Sequence, residues 1–176
     1  MTGAHIYTLL VAVAAAQGGA SPSPPARHVE RAGGYSFLPP PGWKMARHPS
    51  QPYAVAAGPR RKAFTPTLFF ADRQAASSVG AFIEETVKDG QAKFKDFKKI
   101  AVSMVKTDAG RATAHKLVIE SSPEEAEARL RQTTYVITKS SGGYLVVYCT
   151  GLADEAAALD ALCDGAIRTF KWEQSR

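Results

Sequence analysis

The sequence predicts an α+β domain in which helices pack on an antiparallel β-sheet. Three observations carry that expectation. Apolar residues recur with helical spacing in two segments, 77–97 and 154–172. Between them lie four strand-like segments in succession, joined by connections too short for a parallel crossover. Further strand segments precede the first helix, so one helix sits mid-chain and the other near the end, the layered arrangement of α+β folds.

In chain order, residues 1–20 read as a secretory signal peptide. Residues 7–16 form an apolar run, which as a helix spans roughly 15 Å, about half a bilayer core. Ala14-Ala15-Ala16 and Gly18-Gly19-Ala20 both fit a small-residue cleavage site. No Lys or Arg precedes the run; the amino terminus and His5 are its only basic groups. An ordinary buried helix is the alternative, but the run leads into Ser-Pro-Ser-Pro-Pro, which cannot continue one. Export to the periplasm or beyond is therefore expected, with no transmembrane span once the signal is removed. Residues 21–32, rich in Pro, Ser and Arg, read as a disordered linker. The folded domain is expected over 33–172.

That domain opens with Tyr35–Leu38, an alternating strand stopped by Pro39-Pro40-Pro41, which cannot donate ladder hydrogen bonds. Gly42 then turns the chain and delivers Trp43 to a core edge. Residues 47–66 read as a loop or irregular hairpin broken by Pro and Gly, and 67–73 as a strand. In the first helix Val79, Phe82, Ile83, Val87 and Phe94 form one stripe, with Ser77 or Ser78 as N-cap and Gly90 as a weak point. The four following strands cover 99–110, 111–121, 129–140 and 144–152. Residues 144–149 are apolar on both phases, as in a strand covered on both faces. The second helix carries Leu159, Leu162, Cys163, Ala166, Ile167 and Phe170 as its stripe, with Asp154 as its expected N-cap.

"GYSFLPPPGW" at 34–43 resembles the opening of the PsbP-like domain, where a Tyr-x-Phe strand runs into a Pro-rich corner and a Gly-Trp pair. "YLVVYCTGL" at 144–152, the acidic helix start and "IRTFKW" at 167–172 resemble that family's ending. The likeness spans 33–172 and includes the order of elements. The superfamily contains extrinsic subunits of the photosynthetic oxygen-evolving complex, DcrB-like bacterial proteins and a Ran-binding release factor. The resemblance implies an α/β/α sandwich with an antiparallel central sheet, an exported bacterial member and no enzyme activity. No motif specific to the photosystem subunit is present.

The chemistry-bearing residues point the same way. A nucleophile elbow, a P-loop, a dinucleotide fingerprint and an H-E-x-x-H zinc motif are all absent. No catalytic, cofactor or metal residue is assigned. His28 falls in the linker and His48 in a loop, while His115 shares a strand phase with Leu117 and Ile119. His115 is the one place a catalytic base would sit, although a satisfied sheet histidine is the simpler reading. Glu84 and Glu85 lie on the polar side of the first helix, and Glu124, Glu125 and Glu127 in a connection. Asp160 and Asp164, one turn apart, have the spacing to hold a cation but read more simply as a solvated helix face. Cys149 and Cys163 show no zinc-ligand spacing. One lies near the end of the last strand, the other two turns into the following helix on its core stripe. A disulfide and a pair of buried free thiols are both compatible with that placement.

The formal charge is +6, and no Asp, Glu, Lys or Arg precedes Arg27, so the excess belongs to the rest of the chain. Arg60, Arg61 and Lys62 are consecutive, between Gly58-Pro59 and Phe64. They are the expected partner-binding residues, facing an envelope protein or an anionic surface. Lys88, Lys93, Lys95, Lys98 and Lys99 extend the same patch in this reading; a merely soluble basic surface is the bland alternative. Nucleic acid is disfavoured by export. The expected function is thus that of an exported, non-enzymatic domain that binds or helps assemble an envelope protein or complex. A small hydrolase centred on His115 is one alternative. A lipid or small-ligand carrier with an aromatic pocket at Trp43, Tyr53 and Phe64 is the other.

Overall fold

The computed structural model describes residues 26–47, 52–62, 64–74, 78–94, 96–107, 112–123 and 128–173. The expected signal peptide with His5, residues 21–25 of the expected linker, His48, Ser77, Lys95, the turn at 108–110, and Glu124, Glu125 and Glu127 lie outside the described residues.

The strands in chain order are β1 (His28–Glu30), β2 (Tyr35–Phe37), β3 (Lys44–Ala46), β4 (Val55–Ala57), β5 (Thr67–Arg73), β6 (Lys98–Lys106), β7 (Thr113–Ser121), β8 (Leu130–Thr138), β9 (Tyr144–Leu152) and β10 (Lys171–Trp172). Helix α1 (Val79–Lys93) follows β5, and α2 (Ala156–Arg168) follows β9 after a 3-10 turn at Ala153–Glu155. A seven-stranded antiparallel sheet has the order β3-β4-β5-β9-β8-β7-β6. A three-stranded sheet has the order β1-β2-β10.

β9 sits at the centre of the large sheet because both its faces are apolar. Leu145, Val147 and Cys149 join Leu68, Phe70, Tyr135 and Ile137 on one face, beneath Leu159, Cys163, Ala166 and Ile167 of α2. The alternate residues Tyr144 and Val146 point to the other face, where Val136 lies with them and Val79 and Phe82 of α1 pack against them. Farther along that face Ile83 of α1 covers Leu117 and Ile119. The helices thus lie on opposite faces of the sheet, the sandwich expected for this fold class. The small sheet shares the α2 face: Tyr35 stacks on Phe70 and on Phe170, with ring centroids 5.0 and 5.6 Å away.

Several expectations need correction. The linker expected over 21–32 contains β1, which pairs with β2 from His28↔Phe37 to Glu30↔Tyr35. The folded domain therefore begins before Gly33, and His28 is a half-buried strand residue with its ring edge-on to Phe37. Of the two readings for 47–66, loop or irregular hairpin, the second is nearer: β4 lies there, buried along its whole length and paired antiparallel with β5. β3 was not expected at all. In α1, Ser78 is the cap, accepting a hydrogen bond from the Ala81 N–H, and the helix ends at Lys93. Asp154 does not cap α2, which ends at Arg168 and leaves Lys171–Trp172 to pair with β2.

Candidate functional site

The corner at 38–43 sets one wall of the candidate binding surface. Past the prolines, Gly42 adopts φ 79°, a conformation that favours glycine, and the Trp43 N–H donates to the Pro40 carbonyl at 3.0 Å. Trp43 is 9% exposed. Its ring lies against the backbone of Gly58: a Cβ there would stand 2.8 Å from the indole and 2.8 Å from the Pro66 ring, so only glycine fits. The Gly58 N–H donates to the Pro66 carbonyl at 2.8 Å, closing the base of the β4–β5 connection.

The tip of that connection carries the three expected cations. Arg61 and Phe64 exchange both backbone hydrogen bonds, each 2.8 Å, which closes a tight hairpin at the tip. Lys62 takes φ 51°, a left-handed conformation that favours glycine over residues with a Cβ. Arg60, Arg61 and Lys62 are all exposed. The Lys62 ammonium donates to Asp154 in the 3-10 turn, and this bond raises the lysine pKa. Lys62 is thus partly engaged in tying the hairpin to the start of α2. Arg60 and Arg61 form no ion pair with a described residue.

Beside the hairpin runs a groove lined by Trp43, Phe64, Leu152, Leu159 and Leu162, with Arg61 and Glu155 at its rim. Two members of the expected aromatic pocket, Trp43 and Phe64, meet here. Tyr53 does not: it is buried against Tyr35, and its hydroxyl donates to Asp72. Burial and that acceptor raise the Tyr53 pKa. The α2 side of the groove was missed; its leucines lay on the helix stripe, but periodicity does not show which of them line a groove.

The lysines of α1 and β6 do not extend this patch. β4 and β6 lie five positions apart in the sheet, about 24 Å at roughly 4.8 Å per strand, and α1 occupies the face opposite α2. His115 lies half-buried on β7 opposite Met104, and no described carboxylate bonds to it. Glu84 and Glu85 are exposed.

Asp160 and Asp164 are not a solvated helix face. Asp164 accepts from the Lys116 ammonium at 2.8 and 2.9 Å and from the Tyr135 hydroxyl at 2.6 Å. Asp160 accepts from Arg131 at 3.1 and 2.6 Å and from Thr133 at 3.1 Å. Arg131 also donates to Glu120 at 2.9 Å. Burial alone would raise the Asp160 pKa, but Arg131, Lys116 and Thr133 outweigh it and hold the carboxylate below its usual range. These groups lock α2 to β7 and β8. Among the described residues no cluster of metal-ligating side chains occurs.

A second polar cluster escaped the sequence reading. Glu30 is 1% exposed, and its carboxylate accepts from Arg47 at 3.1 and 3.0 Å and from the Ala54 N–H at 3.3 Å. Burial pushes its pKa up; the Ala54 N–H and the Arg47 guanidinium more than offset this, so the net direction is down. Cys149 and Cys163 are joined in a disulfide, with Cα atoms 6.4 Å apart and both residues fully buried between β9 and α2.

No protein-family model and no curated protein matches the chain by sequence. Solved structures match its fold. LpqN of Mycobacterium tuberculosis, described as involved in cell envelope biogenesis, aligns with a TM-score of 0.53 at 14% identity over 85% of each chain. The Ran-binding protein Mog1p of Saccharomyces cerevisiae aligns with a TM-score of 0.56 at 12% identity, over 86% of this chain and 96% of its own. PA94 of Pseudomonas aeruginosa, a protein of unknown function, aligns with a TM-score of 0.56 at 10% identity, over 76% of this chain and 99% of its own. At these identities the likeness shows a common fold.

Proposed function

We propose that this chain is an exported, non-enzymatic PsbP-like domain that binds an acidic protein of the cell envelope through the Arg60–Lys62 hairpin and the groove beside it. The observation that carries the reading is the pairing of two arginines, free of ion pairs with described residues, and an apolar groove, on a hairpin fixed by its own backbone bonds. Arginine suits a carboxylate partner because its planar fork donates two parallel bonds. The groove offers a seat for an apolar anchor side chain, which a protein supplies more readily than a bare anionic surface.

Three further points support it. The fold is shared with LpqN, described as involved in envelope biogenesis, and with the Ran-binding protein Mog1p. The superfamily that the sequence resembles also includes a Ran-binding release factor. A buried disulfide fits an oxidising compartment, as the N-terminal segment does. A hydrolase reading would rest on His115, which has no described carboxylate to orient it. A carrier reading rests on the same groove, with Trp43 and Phe64 as its aromatic wall.

A photoreactive residue in place of Arg60, in the native host, tests the proposal. A discrete adduct with one envelope protein, contacted at an acidic segment, is the expected result. Adducts with lipid alone would turn the reading to a membrane surface, and labelling confined to the cytoplasm would refute export.

A further inference from the structure

Strand β6 ends the large sheet, so one side of its nine-residue backbone pairs with no strand among the described residues. Short strands, proline or a covering loop usually protect such an edge. Here the strand is about 30 Å long at roughly 3.4 Å per residue. It also displays Ile100, Val102 and Met104, which are 45%, 51% and 68% exposed. Val102 and Met104 lie opposite Leu117 and His115, on the α1 face, where α1 covers Leu117 and Ile119 of β7 but leaves these two open. Val105, on the α2 face, is buried.

Charge selects the occupant. Lys98 and Lys99 stand at one end of the strand and Lys106 at the other, all exposed and none in an ion pair with a described residue. No carboxylate occurs within β6. Two copies of β6 paired antiparallel about Val102 would set each Lys98 opposite Lys106 of the other copy, a like-charge contact that destabilises a sheet pair. Edge lysines of this kind prevent self-association, yet they attract a strand of opposite charge.

We infer that β6 is a docking edge for an extended segment of a partner protein, acidic at its ends and apolar at alternate central positions, which joins the sheet as an eighth strand. Main-chain hydrogen bonds to β6 hold the segment, its apolar side chains cover Val102 and Met104, and its carboxylates meet the lysines. This surface is separate from the Arg60–Lys62 hairpin and stands or falls without it.

The probe is the capped nonapeptide Glu-Glu-Val-Thr-Val-Thr-Val-Glu-Glu, with a counterpart carrying Lys for Glu and another carrying Pro for both Thr. Binding is followed by backbone amide shifts and hydrogen exchange of the folded domain. The acidic peptide is expected to shift and protect amides of 98–106, and the proline peptide to do neither. Lys98→Glu, Lys99→Glu and Lys106→Glu together should weaken the acidic peptide by about tenfold and create binding of the lysine peptide. Replacing Arg60, Arg61 and Lys62 by Ser should leave both results unchanged. Undisturbed β6 amides, equal binding of the proline peptide, or dimers of the chain formed through β6 would each overturn the inference.

Discussion

Glu30 is a carboxylate almost without exposure, and its ionisation ties folding to pH. Its folded pKa lies below the unfolded value of about 4.3, so its contribution is complete above that value and is lost as pH falls through the folded one. Stability should therefore decline on acidification below about pH 4. Arg47→Met removes the guanidinium while burial remains. It should cost about 2 kcal/mol at neutral pH and move the acid midpoint upward, as urea denaturation across a pH series would record. An acid limb identical to that of the unaltered protein would mean that Glu30 is not the group responsible. Nothing local marked Glu30 as buried: two of the groups that satisfy it, the Arg47 guanidinium and the Ala54 N–H, come from beyond the proline corner. Trp43 was legible for the opposite reason, since the corner that holds it is written in adjacent residues.

Helix α2 is attached to the sheet in three ways, by apolar packing, by its carboxylates and by a disulfide, and the carboxylates were not foreseen. Its apolar stripe follows from the 3.6-residue period, and Leu159, Cys163, Ala166, Ile167 and Phe170 are all buried. The carboxylates of Asp160 and Asp164 looked solvated because a helix pattern does not reveal that Arg131, Thr133 and Lys116 face it from β8 and β7. The disulfide was one of two compatible readings. Reduction, or Cys149→Ala with Cys163→Ala, should lower stability by about 3 kcal/mol, as expected for a closed loop of this length. Urea midpoints with and without reductant measure the effect; titratable thiols in the untreated denatured protein would contradict the bond. Strands β3 and β4, three residues each, are too short to display a period. β6 was legible as a strand but not as an edge, since the order of strands in a sheet is fixed by packing between distant segments.

At the scale of the molecule, the antiparallel meander with helices layered on it followed from element order and the sandwich from the family resemblance; the likeness to LpqN and Mog1p is a likeness of that architecture. The proposed binding surface was half legible: adjacency revealed the cations, while the groove arises only where the hairpin meets α2. Export carries its own test. Intact mass of the protein from its native host should place the first residue between Gln17 and Ser21, and a full-length cytoplasmic chain would refute secretion. The most direct measurement compares the unaltered protein with the variant Arg60→Ser, Arg61→Ser, Lys62→Ser in capture of crosslinked envelope proteins at two salt concentrations. The Debye length falls from about 10 Å at 0.1 M to about 3 Å at 1 M, so an exposed cationic contact must weaken between them. The variant's unfolding midpoint should match that of the unaltered protein, because the substitutions lie on an exposed loop. Capture of a defined acidic protein that is lost in the variant and falls with salt is the predicted result; equal capture by both proteins, indifferent to salt, would contradict a binding role for the hairpin.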